Sequence, residues 1–298
     1  MAQINMYNIN SIIKQTIDIH MHIGPDIIPR KYTITELINA EKGKIAGFVL
    51  KNHFYPTYPL IKTITVKNLK CIGGIVLNNS IGGLNADAIY VAASISLQPI
   101  FVWLPTINAK NFLLKSKYEI APEWVKQSEF KSKLSKNTQA VELFIKGLPD
   151  FKLTDILNAI RKTNSILATG HISWQESEQI VDIAIKLGLK KIVITHPIYQ
   201  KIDMPIQTQL KLADKKCFIE HSYSMYSIDK IPIKFIAQQI KAIGYEAVIL
   251  SSDMGQKFSM SPSKALYEFA FLLYKENIPI KGLYQMLVTN PRKLLNII

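Results

Sequence analysis

Arginine is nearly missing from this 298-residue chain: only Arg30, Arg161 and Arg292 occur, against 33 lysines, in a sequence of formal net charge +14. Nucleic-acid readers lean on arginine for bidentate contacts to bases and phosphates. A lysine-only excess therefore reads as a compositional bias toward Lys, Ile and Asn that favours solubility, and no nucleic-acid partner is expected. Cysteine is scarce too. Cys71 and Cys217 cannot build a disulfide framework, and each sits beside an apolar run, where a small buried hydrophobe belongs. No apolar run approaches the roughly 20 residues of a membrane helix; PIFVWLP at 99–105 is strand-sized. The opening MAQINMYNINSIIKQTIDIH has no basic stretch followed by an apolar one, so a signal peptide is not expected and the cytoplasm is the expected compartment. No GxGxxG fingerprint or Walker loop supports nucleotide binding. No serine-centred elbow or strand-end cysteine indicates acyl-enzyme chemistry.

Hydrophobic residues make up 48% of the chain, enough for a large core. Eight short apolar runs end in polar, Gly or Pro residues: 16–23, 45–53, 71–78, 99–104, 165–171, 191–196, 216–220 and 246–253. They are rich in Ile and Val and alternate weakly, as strands buried on both faces do. Between them lie helical patterns at 33–43 (Thr35 as N-cap, Gly43 as stop), 174–188, 206–213, 231–244 and 262–275. Ile180, Val181, Ala184 and Leu187 form one stripe. Eight βα alternations in this length predict an α/β fold, a (β/α)8 TIM barrel. Residues 106–151 form an insertion after the fourth strand, expected as a small hairpin or flap, and 280–298 a helical tail. The whole, 1–298, is expected to be one domain.

All six histidines, His20, His22, His53, His171, His196 and His221, fall at or next to the predicted C-terminal ends of strands. In a barrel that end carries the chemistry. A lone histidine is usually a satisfied core or surface residue; six sorted to one rim are not. His20 and His22 are two apart on a strand and so share a face, with Asp18 expected on that face one layer deeper, as the partner that fixes a ring tautomer. His171 ends the fifth strand, His196 the sixth and Asp253 the eighth. Neutral imidazole suits zinc and its neighbours, and a carboxylate can be ligand, base or both. Taken singly, Asp253 is equally a turn or N-cap residue.

An HxH on strand 1, histidines on strands 5 and 6 and an aspartate on strand 8 resemble the amidohydrolase superfamily of metal-dependent hydrolases. FVLKNHFYPT (48–57), GGIVLNNSIGGLN (73–85), VWLPTINA (102–109), ATGHIS (168–173), ITHP (194–197), SSDMGQ (251–256) and TNPRKLL (289–295) resemble an uncharacterised bacterial and archaeal branch of it. The resemblance implies that His20, His22 and Asp253 hold one divalent ion, zinc first. His171 and His196 would then hold a second ion or orient substrate. The resemblance names no reaction; the shared rim of His20, His22, His171, His196 and Asp253 makes metal-dependent hydrolysis the leading expectation, of a small-molecule amide, cyclic amide, lactone or ester, with Asp253 accepting the proton of the attacking water and Lys51 and His196 as further candidate catalytic residues. Binuclear members usually carry a bridging Lys or Glu on strand 4; IFVWLPT at 100–106 has neither.

On strand 2, Lys51 and His53 share a face. Lys51 could bridge two ions as a carbamate, anchor a substrate carboxylate, or reach from the rim to water. Glu220 is a further candidate ligand, Glu142 a remote one, and His221 should face away. Asn78 and Asn79, with an anion-binding loop at Gly82-Gly83, Trp103, Tyr55 and Gln256 are candidate substrate contacts. A decarboxylase or nuclease of the same superfamily and a non-catalytic ligand-binding barrel are the alternatives, and a homo-oligomer is left open.

Overall fold

The computed structural model describes residues 2–64, 69–96, 99–116 and 139–297, with the side chains of 2–8 outside the description. Eleven strands follow in chain order: β1 (Ile17–His22), β2 (Gly47–Lys51), β3 (Lys70–Ile72), β4 (Gly74–Val76), β5 (Phe101–Trp103), β6 (Phe144–Ile145), β7 (Leu148–Pro149), β8 (Ile166–Ala168), β9 (Ile192–Ile194), β10 (Phe218–Ser222) and β11 (Val248–Ser251). Parallel ladders run β1-β2-β3 and β11-β10-β9-β8-β5-β4.

Two seams join these sheets into a ring. At the first, the run expected as one strand over 71–78 is broken at Gly73. Thr57 takes over the ladder there: its amide donates to Gly74 O (2.9 Å) and its hydroxyl accepts from Gly74 N (2.9 Å). At the second, His22 N donates to Met254 O (2.8 Å), Asp253 N donates to His20 O (2.9 Å), and Met21 bridges Met254 in parallel. Counting β3 and β4 as one broken strand, eight staves surround the interior.

Every expected helix forms within a few residues of its predicted span: Ile34–Glu41, Trp174–Lys186, Ile206–Asp214, Ile233–Ile243 and Pro262–Lys275. The N-cap of the first is Thr33 instead of Thr35. Thr33 and Glu36 form a capping box in which each side chain meets the other's backbone amide, satisfying two orphan donors at once. Ser173 and Glu176 repeat the device. A helix at Ala2–Gln15 had no counterpart in the sequence reading; its Ile9, Ile12 and Ile13 join a core cluster with Phe48, Leu266 and Phe269.

Inward strand residues and the tail residues Leu294 and Leu295 make a separate cluster that includes Ile19, Val49, Phe101, Trp103 and Ile249. This fills the barrel beneath the rim, so the barrel is a packed core and not a pore. Trp103 needs room that a side chain at position 74 would take: a Cβ built on Gly74 would lie 2.3 Å from Trp103 Cζ3.

In the insertion, β6 and β7 form the expected hairpin, turned at Lys146 and Gly147 with φ of 51° and 81°, as a tight two-residue turn requires. The stretch 117–138 of that insertion lies outside the described residues. Among the described residues no helix is long and apolar enough to cross a membrane.

Candidate active site

Five of the six imidazoles meet at the mouth of the ring. Their centroids close a circuit: His20–His22 5.3 Å, His22–His53 4.7 Å, His53–His171 6.2 Å, His171–His196 5.1 Å and His196–His20 5.8 Å. The strands that carry them are shorter than the apolar runs suggested. His20 and His22 lie within β1, but His53, His171, His196 and Asp253 stand two or three residues past the ends of β2, β8, β9 and β11. There the backbone splays out of the ladder, and both His196 (φ 22°) and Asp253 (φ 50°) take left-handed conformations, the kind of local strain that the surrounding packing must hold.

The tightest convergence involves three of these residues. Asp253 Oδ1 lies 3.2 Å from His20 Nε2 and 3.1 Å from His22 Nε2. One donor atom from each of the three falls within 4.8 Å of the others, and all three residues are buried. Zinc–ligand bonds of about 2.1 Å at tetrahedral angles place neighbouring donors about 3.4 Å apart, so the spacing fits one small cation.

Protonation fits as well. Burial first, and the Arg30 and Lys51 charges after it, push His22 and His53 well below the usual histidine range. Burial, then His196 and Lys51, does the same to His171, and burial brings His196 down to about 4. These rings are neutral and carry lone pairs. Burial alone would raise the Asp253 carboxyl, but its interaction with His20 and its hydrogen bond with His22 outweigh burial and hold it well below the usual carboxylate range. Buried Nδ1 atoms of His22, His171 and His196 have no hydrogen-bond partner.

Glu220 takes the place expected for Asp18, and Asp18 leaves the site. Glu220 Oε1 faces His20 Nδ1 at 2.8 Å and accepts from Ser251 Oγ at 2.6 Å, so it orients the ring from behind rather than joining the three-donor cluster. This leaves His20 Nε2 aimed at the mouth. Asp18 touches no ring. It accepts from Ser252 N (3.0 Å), from Ser252 Oγ and from His20 N (3.2 Å), clamping the end of β11 to β1. The cause is a register shift in β1 between Asp18 and Met21: a bulge reverses which residues face inward, so Ile17 and Ile19 point in below it and His20 and His22 above it.

Lys51 does not reach to water. It is 1% exposed, its Nζ lies 3.0 Å from His20 Nε2 and 5.2 Å from the centre of the Trp103 ring, and burial lowers its pKa to about 8. Trp103, also 1% exposed, is floor beneath Lys51 and His20, without a face for substrate. His53 Nδ1 is tied to Thr106 Oγ1 at 2.8 Å.

Asn78 is no substrate contact. Its Nδ2 donates to His53 O (3.0 Å) and Thr106 Oγ1 (2.9 Å), and its Oδ1 accepts from Thr106 N (2.9 Å) and Asn108 N (3.4 Å). Asn79 is turned outward, donating to Gln139 O. The amides of Gly82 and Gly83 are spent on Asn79 O and Asn78 O, so no anion loop is left. Glu142 is on the surface, paired with Lys110 at 3.0 Å. Gln256 is at the mouth, with Oε1 buried and unpartnered. His221 does face away: it pairs with Leu250, which packs in the outer cluster.

Sequence reading missed three partners. Ser224 Oγ donates to Asp253 Oδ2 (2.7 Å). Arg30 and Asp26 form a buried pair on the loop after β1. Asp26 and Arg30 are four apart in a chain with three arginines, a signal that was there to be weighed.

A model of the family of unknown function DUF6282 matches residues 15–220. The chain belongs to that family. No curated protein matches it. Solved structures do. An amidohydrolase from Pseudomonas aeruginosa superposes with a TM-score of 0.65 at 9% identity, over 97% of this chain and 98% of that one. A TatD homolog from Escherichia coli K12 gives 0.58 at 12%, over 96% and 100%. A phosphotriesterase homology protein from Escherichia coli, complexed with phosphate in its active site, gives 0.54 at 13%, over 94% and 98%. At such identities the likeness establishes the fold alone, a barrel shared with these proteins, and function must be argued from the site.

Proposed function

We propose that this DUF6282 member is a metal-dependent hydrolase acting on a small amide, cyclic amide, lactone or ester. One observation carries the reading: three donors, His20 Nε2, His22 Nε2 and Asp253 Oδ1, converge within 4.8 Å from opposite sides of the ring seam. Three protein donors leave a coordination position open, the mark of catalytic as against structural zinc sites. A divalent ion held there, zinc by the nitrogen-rich donor set, would acidify water toward a pKa of about 7 and polarise the scissile carbonyl.

The residues divide the remaining work. Glu220 fixes His20 with Nε2 toward the site, as a carboxylate partner does for ligating histidines. Asp253, ionised and braced at Oδ2 by Ser224, is the group placed to take a proton from water and return it to the leaving atom. His171 and His196, neutral and adjacent, supply further donors for a second ion or for the substrate. Lys51, next to His20, holds a proton or a carbamate on the inner side of the same ring. The reading treats 1–298 as one catalytic barrel, with 106–151 as its insertion.

Elemental analysis of purified protein tests it. Stoichiometric metal in the native chain and its loss from a His20→Ala/His22→Ala variant of unchanged fold are expected. Full retention of metal in that variant, or none under any loading condition in the native chain, defeats the reading.

A further inference from the structure

Arg161 and Arg292 lie on helices (151–162 and 290–295), but Arg30 lies at the mouth. The loop that carries it folds back over the rim. Gly24 N donates to Tyr32 O (2.9 Å), Lys31 N donates to Gly255 O (2.8 Å), and Arg30 pairs antiparallel with Gln256. Gly24 is two residues past His22 and Gly255 two past Asp253. The packing beneath is close: at Gly255, where φ is +131°, a Cβ would lie 2.2 Å from His22 O. The backbone carrying Arg30 therefore rests on the segments that present His22 and Asp253.

The guanidinium is half-satisfied. Arg30 Nε donates to Asp26 Oδ2 at 2.6 Å, with side-chain exposures of 4% for Arg30 and 0% for Asp26. Asp26 is itself fixed, its Oδ1 accepting from Ile28 N at 3.2 Å. The two terminal nitrogens of Arg30 have no acceptor among the described residues, and neither belongs to the fully buried atoms left without a partner, so each keeps a trace of solvent contact in a side chain that is 4% exposed. Withdrawing a cation from water with donors unused is costly unless something fills them. What fits two coplanar N–H donors is a carboxylate, held end-on by the fork. Gln256 Oε1, buried and unpartnered beside the Arg30 backbone, is left to accept from an N–H or O–H of the same ligand. Lys51, the other cation at the site, sits deeper and is engaged with His20.

We propose that Arg30, braced by Asp26, anchors a carboxylate carried by the substrate away from the bond that is cleaved, so that this site selects small organic acids. The proposal rests on the hydrolase reading for the bond that breaks, and on the loop geometry alone for the anchor.

Calorimetric titration of the full chain with malonate, and separately with inorganic phosphate, tests it on zinc-loaded and chelator-stripped protein. The native chain should bind malonate in both states. Arg30→Gln should weaken that binding by about ten- to a hundredfold, the weight of a charge-assisted bidentate contact, with zinc stoichiometry unchanged. Arg30→Lys, which keeps a cation against Asp26, should fold as the native chain does and recover only part of the affinity. Equal affinity in the native and Arg30→Gln proteins, no malonate binding, or full recovery by lysine overturns the anchor. Arg30-dependent binding of phosphate in preference to malonate overturns the carboxylate assignment. If zinc never loads, the hydrolase reading fails while the stripped-protein titrations still decide on Arg30.

Discussion

Replacing His221 with leucine should flatten the acid side of the stability profile. His221 lies on β10 with no exposure, on the outer face of the barrel, and neither ring nitrogen has a hydrogen-bond partner among the described residues. Burial lowers its pKa from the ordinary 6.5 to about 4, against a small upward pull from Glu220. The sign follows from linkage. Below about pH 6.5 the unfolded chain takes up a proton that the folded chain refuses until about pH 4. Stability contributed by the neutral ring is complete above pH 6.5 and drains away as pH falls between those values. With 1.36 kcal/mol per pKa unit, the loss is about 2 kcal/mol at pH 5 and about 3 kcal/mol at pH 4. Urea titrations of native and His221→Leu protein at pH 7 and pH 5, with chelator present to keep metal binding out of the balance, measure it. The fall in unfolding free energy from pH 7 to pH 5 should be about 2 kcal/mol smaller in the variant. At pH 7 the variant should be at least as stable as the native chain, because two unpaired polar atoms leave the interior. Equal pH dependence in the two proteins would show that His221 finds a proton acceptor in solution, and the burial argument would be wrong.

Two further outcomes follow from the site and the core beneath it. Glu220→Gln keeps the shape but removes the carboxylate behind His20; zinc affinity, read by competition with a chromogenic chelator, should fall by about ten- to a hundredfold, and an unchanged affinity would remove Glu220 from the site's function. Gly74→Ala places a methyl group 2.3 Å from Trp103 Cζ3; overpacking of this kind costs about 1–3 kcal/mol, readable as a lower urea midpoint, and no loss would mean that the Trp103 ring moves freely.

The barrel was legible because burial on both faces leaves its mark in composition: eight Ile/Val-rich runs separated by helical stripes admit few topologies. The histidine rim was legible for a related reason, since polar residues ending apolar runs stand out against them. What misled was the inference from runs to strand ends. Hydrophobicity continues past the last ladder bond, so His171, His196 and Asp253 sit in loops that the runs had included. The missed N-terminal helix and the cap at Thr33, expected at Thr35, were readable. Ile9, Ile12 and Ile13 hold i, i+3, i+4 spacing, and Thr33-Ile34-Thr35-Glu36 is a capping-box sequence.

The replacement of Asp18 by Glu220 behind His20 was of a different kind. Period-two reasoning assigned Asp18 to the histidine face, and a single extra residue in β1 moved it off that face. A bulge has no composition signature here: Ile-Asp-Ile-His-Met-His alternates through it without a glycine or proline. Its cause is instead at the seam. β1 must pair with β2 on one side and with the chain end of β11 on the other. Asp18 holds Ser252 N while His20 O receives Asp253 N, so the two pairings hold β1 from both sides and the shift places two successive histidine rings over the interior. The same bulge thus sets both the closure of the barrel and the convergence of His20 and His22 on Asp253. A fold-level likeness at around one-tenth identity carries the barrel across families; the placement of one extra residue at the seam decides which carboxylate stands behind His20.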